Sequence, residues 1–347
     1  MYLYILPSIV FIISFSDYIR EKKLKDNILI GVLLTLVLVS TFRSSSLDIF
    51  YGYDTNQYIN FYNEVSLEKD TFEIGYTILN LMIKIFTDNY RYVFLIMSLL
   101  TMYFLYKYVS YYTENIFIAV LAYISIFYFI RDLSQMRAAL SYAICAYSTI
   151  YILENRPKRF LLYVALATSI HFSSILTLIL YPIYKLRLSK IYLYIILITA
   201  IILFKVDLMN IISDLFGMLG ENKYTTSFIN YTLDTNARGL DSKVLLYIAI
   251  TICGIYIKDF KSIKSDRYDI NIYMVVLGIF IAGLFNGSEI ISVRLSELFL
   301  TSMIVIFSRF KDVIEDKNLE VVFHILTGLF LIAYNMFFIY SLSKYGI

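Results

Sequence analysis

The chain has 347 residues, of which 59% are hydrophobic and 16% charged, with a mean hydropathy of +0.71. Soluble domains carry roughly a quarter charged residues, so a soluble globular fold of this size is excluded. A formal charge of +3 gives no electrostatic footprint for nucleic acid.

In chain order, the apolar runs cover residues 1–19, 27–42, 92–109, 115–131, 138–153, 191–206, 243–258, 270–287, 290–308 and 319–342. A span needs about 20 such residues, so the runs predict an all-α, polytopic integral membrane protein of about 10–12 transmembrane helices. The whole chain, residues 1–347, reads as a single polytopic domain in the lipid bilayer. The first run lacks a basic leader and a small-residue cleavage signal, and reads as a retained helix. Basic clusters at 20–25, 156–159, 185–190, 258–267 and 309–317 fall between the runs and belong in the cytoplasm by the positive-inside rule. That topology turns three polar regions outward: 43–91, the turn 131–137, and a loop at 207–242.

Within 43–91, the modestly apolar stretch 74–86 reads as an amphipathic helix lying flat at the outer interface, with Asn80 and Lys84 toward its polar side. Residues 160–184 have basic clusters at both ends and carry His171, Ser173 and Ser174 at their centre. A single tilted span is one reading, but two half-helices meeting near His171 satisfy the positive-inside rule better, and broken helices occur only where the freed backbone lines a cavity or water. His171 is therefore expected at the outer rim of a central cavity. Cys145 and Cys253 both fall in apolar runs and read as small hydrophobes. The two histidines, His171 and His324, are far apart, which argues against a histidine metal site. His324, on the last span, reads as structural. No phosphate-cradling glycine loop, nucleophile elbow or zinc-protease pattern occurs.

Arg131, Arg137 and Arg294 lie within or against apolar runs, where even lenient insertion scales charge about 2.5–3.5 kcal/mol for a cation, so such residues mark substrate paths. Arg137 leads into Ala138 and Ala139, small residues that permit close helix packing. Its guanidinium suits bidentate phosphate binding; the alternative is an arginine that snorkels to headgroups. Arg131 is expected to pair with Asp132 at the surface. Asp54, Tyr58 and Tyr62 follow at four-residue steps, so a helix stacks a carboxylate and two phenols on one face, an arrangement suited to sugar hydroxyls. The alternative is an N-cap aspartate beside an interfacial aromatic belt. Glu73 opens the interfacial helix and either complements its dipole or serves a site. Arg294 can pair with Glu297 three residues on, or face the cavity of Arg137 with Glu289 at the outer mouth. Arg238, in the second outer loop, offers a further phosphate or glycan contact.

These segments together resemble the Wzy-type O-antigen and EpsG-like polysaccharide polymerases. Gly52-Tyr53-Asp54 with Tyr58 is similar to that family's Gly-x-Asp-x-x-x-Tyr segment. Phe72-Glu73-Ile74-Gly75-Tyr76 resembles its Glu-Pro-Gly-aromatic stretch, with Ile74 in the proline's place. Met136-Arg137-Ala138-Ala139-Leu140-Ser141 is similar to its Arg-Gln-x-hydrophobic-Ala motif, with Ala138 in place of glutamine, and His171-Phe172-Ser173-Ser174 to its His-x-Ser-Ala. The resemblance covers residues 43–185 and extends beyond them by helix count and Arg294.

It implies a glycosyltransferase that moves a growing glycan from undecaprenyl pyrophosphate onto another lipid-linked repeat unit, at the outer face of a bacterial inner membrane, without cofactor or metal. It further implies a chain-length regulator protein as partner. On this reading Arg137 and Arg294, supported by Arg43 or Arg238, neutralise the leaving diphosphate. Asp54 is the expected base for the acceptor hydroxyl, with Glu73 and His171 behind it, while Tyr58 and Glu289 contact substrate. A flippase or an O-antigen ligase acting on the same lipid-linked glycan are the alternatives.

Overall fold

Helices make up the regular structure of the computed structural model, which describes residues 2–43, 52–67, 71–218, 220, 223–233, 237–260 and 266–345. Parts of the polar stretch 43–91 (44–51 and 68–70), of the stretch 207–242 (219, 221–222 and 234–236) and of the fourth basic cluster (261–265) lie outside the described residues. The chain divides into two units, 1–176 with 307–347, and 177–306.

The first unit contains α1 (Tyr2–Ser14), α2 (Lys22–Thr41), α3 (Gly52–Asn63), α4 (Ile74–Lys84), α5 (Arg91–Tyr112), α6 (Ile116–Tyr123), α7 (Phe129–Arg131), α8 (Met136–Leu153) and α9 (Pro157–Ile170). Helix α8 is its axis, packed along both α5 and α9. Ala138, Ala139, Ser141, Ala143, Cys145, Ala146 and Ser148 are all buried on it, and such small side chains let neighbouring backbones approach where lipid offers no hydrophobic drive between helices. A π-helical segment, Ile124–Tyr128, joins α6 to α7. Asn155, at φ 55°, ends α8 in the left-handed conformation that asparagine tolerates, and Pro157 opens α9, where its missing N–H costs nothing.

The second unit contains α10 (Leu180–Lys185), α11 (Lys190–Leu203), α12 (Met209–Gly217), α13 (Lys223–Leu233), α14 (Ser242–Phe260), α15 (Asp266–Leu284), α16 (Glu289–Leu300) and most of α17 (Met303–Ser308). Here α15 is central, against α11, α14 and α16. The final helix, α18 (Lys317–Tyr345), returns to the first unit and packs on α1. His324 sits in that contact, its Nε2 2.8 Å from Ser14 Oγ and its ring against Phe15 and Tyr18, a structural placement as expected.

Among the described residues, five helices are long and apolar enough to cross a membrane: Lys22–Thr41, Arg91–Tyr112, Met136–Leu153, Asp266–Leu284 and Lys317–Tyr340. The pair Glu289–Leu300 and Met303–Asp312 passes the same test jointly but bends by 45°. Ile5–Tyr18, Ile116–Arg131, Lys190–Leu203 and Ser242–Ile257 occupy the remaining expected spans as shorter apolar helices. The chain is thus an all-α, multi-pass membrane protein, and the break expected near His171 is present. Helix α9 stops at Ile170, His171 is extended (φ −150°, ψ 115°), and a 3₁₀ segment, Phe172–Ile179, follows.

Two expectations are corrected. Asn80 does not face outward; it is fully buried, while Ile74, Ile78 and Met82 are exposed. Helix α4 therefore turns its apolar stripe to the surroundings, as lipid contact requires, and its polar stripe into the protein. The stretch 207–242 is not a plain loop, because α12 and α13 lie within it and pack on each other, with Phe216 stacked on Phe228 at 4.0 Å.

Candidate active site

Three residues far apart in sequence meet in the first unit. Glu73 is the N-cap of α4 but its side chain makes no capping bond; the carboxylate is used elsewhere. Its Oε2 accepts from Arg137 Nη1, and its Oε1 accepts from the Phe172 backbone N–H at 2.9 Å. His171 Nδ1 lies 3.8 Å from the same Oε1. The N-terminal end of α8, the start of α4 and the break after α9 are thus tied through one carboxylate. Interior helix N–H groups are satisfied by their own turns, so a break that frees the Phe172 N–H is what makes this tie available.

Aromatic rings surround Arg137. Its guanidinium carbon is 4.0 Å from the Phe72 ring centroid, 5.7 Å from Tyr76 and 5.8 Å from Tyr58. Cation–π contacts of this kind gain strength when desolvated, and they fix the plane of the fork. Arg137 Nε is buried with no hydrogen-bond partner. A buried N–H donor left unused costs about 1–3 kcal/mol, which an incoming anionic oxygen would recover. Snorkelling to headgroups does not describe this arginine, whose side chain is only 16% exposed.

Gly75 sets the approach of α4 to α9. A Cβ there would fall 2.7 Å from the Ser169 carbonyl oxygen, closer than side-chain carbons tolerate. Gly75→Ala is expected to force the helices apart at an overpacking cost of about 1–3 kcal/mol, dragging Glu73 from Phe172. Thermal unfolding of the solubilised protein reads this, and a variant melting with the wild type would contradict the close contact.

Asp54 is half-exposed on α3, one turn before the buried Tyr58. Burial pushes the Tyr58 phenol above its ordinary range and the Asp54 charge adds to this, while Arg137 opposes them, so Tyr58 remains a neutral hydroxyl. Tyr58 in turn lies with its ring centre 5.8 Å from the Arg137 guanidinium carbon. Arg43 is buried at the end of α2, with Nη1 2.8 Å from Ser40 O and its guanidinium carbon 3.8 Å over Phe94; burial lowers it to about 10, still protonated at neutral pH.

Arg131 and Asp132 are not a surface pair: both are buried, at 1% and 2% exposure. Arg131 stacks 3.8 Å over Phe127, a ring delivered by the π-helical segment. Asp132 accepts from Tyr123 Oη at 2.5 Å. Burial pushes the Asp132 carboxyl up to about 7 against the lowering effects of Tyr123, Arg131 and Arg43. An unfolded aspartate titrates near 3.9, so between about pH 4 and 7 the folded state holds a proton that the unfolded state has lost, and stability falls as pH rises through that window. Asp132→Asn is expected to flatten this slope while preserving the Tyr123 contact, measured by thermal unfolding between about pH 5 and 7. An unchanged slope would contradict it.

In the second unit, Arg294 Nη1 donates to Tyr231 Oη at 3.1 Å, and Glu297 pairs with Lys243 at 3.5 Å. Arg238 donates to Asp241 at 3.1 Å and to Ser292 Oγ at 3.2 Å, tying the segment before α14 to α16. Glu289 is exposed in the first turn of α16, where a carboxylate complements the helix dipole.

The EpsG family model matches residues 32–347. The chain belongs to the EpsG family. Its role is therefore polysaccharide-polymerase-like, a membrane glycosyltransferase at the coarse level. Neither the curated proteins nor the solved structures gave a match. In this EpsG protein, the motif residue Glu73 reaches both Arg137 and His171. Sequence reasoning gave no role to Phe72, the floor beneath Arg137, or to Tyr142, whose hydroxyl is 3.3 Å from Ser173 Oγ and whose ring lies 5.9 Å from that of His171. The one available signal was their adjacency to the motifs.

Proposed function

We propose that this EpsG protein polymerises lipid-linked oligosaccharide repeat units into a surface polysaccharide, by glycosyl transfer from undecaprenyl pyrophosphate at the outer face of a bacterial inner membrane. The observation that carries the reading is Arg137, held over Phe72 by Glu73 with a buried donor unused, in a chain of the EpsG family. A preorganised cation is what a departing diphosphate needs. Charge develops on the leaving oxygen as the glycosidic bond breaks, and fixed donors stabilise it without reorganising. Diphosphate leaves as a stable anion, so no general acid is called for.

Asp54 takes the acceptor hydroxyl's proton as that oxygen bonds to the anomeric carbon. It is half-exposed at the edge of the group, whereas Glu73 is committed to Arg137 and Phe172. Tyr58 and His171 flank the reacting groups. Both substrates are membrane-tethered, which supplies much of the proximity gain.

Asp54→Asn tests the assignment. In a deletion strain complemented at equal protein level, polymer length is expected to collapse, with transfer slowed about 10²–10⁴-fold, the usual contribution of a positioned base. A full ladder from Asp54→Asn would remove Asp54 from the mechanism.

A further inference from the structure

Toward the end of α8 away from Arg137, aromatic side chains of three helices converge. Tyr147 and Tyr151 of α8 are joined through their hydroxyls at 2.9 Å. Tyr163 of α9 stacks on Tyr151, with centroids 5.1 Å apart and planes 6° from parallel, and meets Tyr147 edge to face at 5.2 Å. Phe104 of α5 lies 5.5 Å from Tyr147 and 6.2 Å from Tyr163. Tyr147 and Tyr163 are partly exposed, so phenols border the surface here. Arg137 and Tyr151 are fourteen residues apart on α8, roughly 21 Å along its axis. The group is therefore separate from the candidate active site.

Two exposed cations flank the rings. Arg159, in the first turn of α9, holds its guanidinium carbon 5.8 Å from the Tyr151 centroid. Lys107 of α5 holds its ammonium 5.7 Å from the centroid of Tyr103, which packs on Phe104 at 5.3 Å. Lys158 beside Arg159 is exposed as well, while Arg156 is engaged with Glu154 at 3.1 Å. From each cation an exposed apolar stripe runs along its helix at three- and four-residue steps. Tyr103 and Leu99 precede Lys107 on α5, and Leu162 and Leu166 follow Arg159 on α9. Both stripes are charged at the ring group and apolar beyond it.

A phospholipid has the complementary build, an anionic head above two apolar tails. Helices α5 and α8 are long and apolar enough to span, so their ends fall at the headgroup layer, where tyrosine sits with its ring in the apolar zone and its hydroxyl toward water. Guanidinium offers phosphate a planar fork and ammonium a point charge, and basic pockets between membrane helices recognise anionic heads. We infer that the face of α5, α8 and α9 beside the α8–α9 turn seats one anionic phospholipid. Its head lies across Arg159 and Lys107 against the edges of Tyr147 and Tyr163, and its tails follow the Leu99–Tyr103 and Leu162–Leu166 stripes. The inference does not depend on the polymerase reading.

The test titrates the full-length protein in detergent with phosphatidylglycerol, or with phosphatidylcholine of the same acyl chains, and counts bound lipid by native mass spectrometry. Wild type is expected to prefer phosphatidylglycerol. The Arg159→Gln/Lys107→Gln double variant, altered only at exposed positions, should bind it roughly 20-fold more weakly, at about fivefold for each cation. A control that removes two exposed cations elsewhere, Lys22→Gln/Lys23→Gln, should match the wild type. Glycerol phosphate, the head without its tails, should not displace the lipid at equal concentration. Equal affinity for the two lipids, an unweakened double variant, a control weakened as much as the double variant, or displacement by glycerol phosphate would each overturn the assignment.

Discussion

Replacing Arg137 by alanine is expected to reduce polymer elongation by about 10²–10³-fold, the loss typical of a single preorganised donor aimed at developing negative charge. The side chain contributes a fixed cation and a fork whose plane is set by Phe72, Tyr58 and Tyr76. Arg137→Lys keeps the charge but cannot reproduce the fork or its stacking, so an intermediate rate is expected. Repeat units should still reach the outer face, because export does not call on this group. Chain length resolved by electrophoresis, at matched protein levels, reads both effects. Equal ladders for wild type and Arg137→Ala would remove the arginine from the chemistry.

Glu73 should produce the second large effect, and of a different kind. Glu73→Ala leaves the mostly buried Arg137 without its counterion and the Phe172 N–H without its acceptor. Breaking a buried pair from one side costs about 3–5 kcal/mol, and the low end applies at 12% exposure of Glu73. Thermal unfolding of the solubilised protein should therefore drop by several degrees. Glu73→Gln keeps an acceptor for Phe172 and the shape of the site while removing the charge. It is expected to stay folded and to retain measurable transfer if, as proposed, Glu73 positions Arg137 and Asp54 serves as the base. A glutamine variant as inactive as Asp54→Asn, with normal stability, would reverse those roles.

Much of this organisation was legible in the residues. Apolar run length announced the membrane class, and basic clusters at both ends of 160–184 announced the break that leaves His171 extended. Glu73, Arg137 and His171 were each visible as motif residues. Their convergence was not, because it depends on α4 meeting α9 at Gly75 and on α8 lying along α9, contacts without a local signature. Asn80 misled because an asparagine in an interfacial helix ordinarily seeks water, and here the protein interior is the polar side. Arg131 misled because adjacency to Asp132 suggests an exposed pair, whereas the π-helical segment brings Phe127 under it and Tyr123 reaches the carboxylate.

The most direct measurement is synthesis by the purified protein in liposomes supplied only with undecaprenyl-pyrophosphate-linked repeat units. The expected result is a ladder of lipid-linked polymers with release of undecaprenyl pyrophosphate, absent with Arg137→Ala. Movement of unextended repeat units across the bilayer without a ladder would contradict polymerisation and favour a flippase, and transfer only to an added lipid A core would favour a ligase.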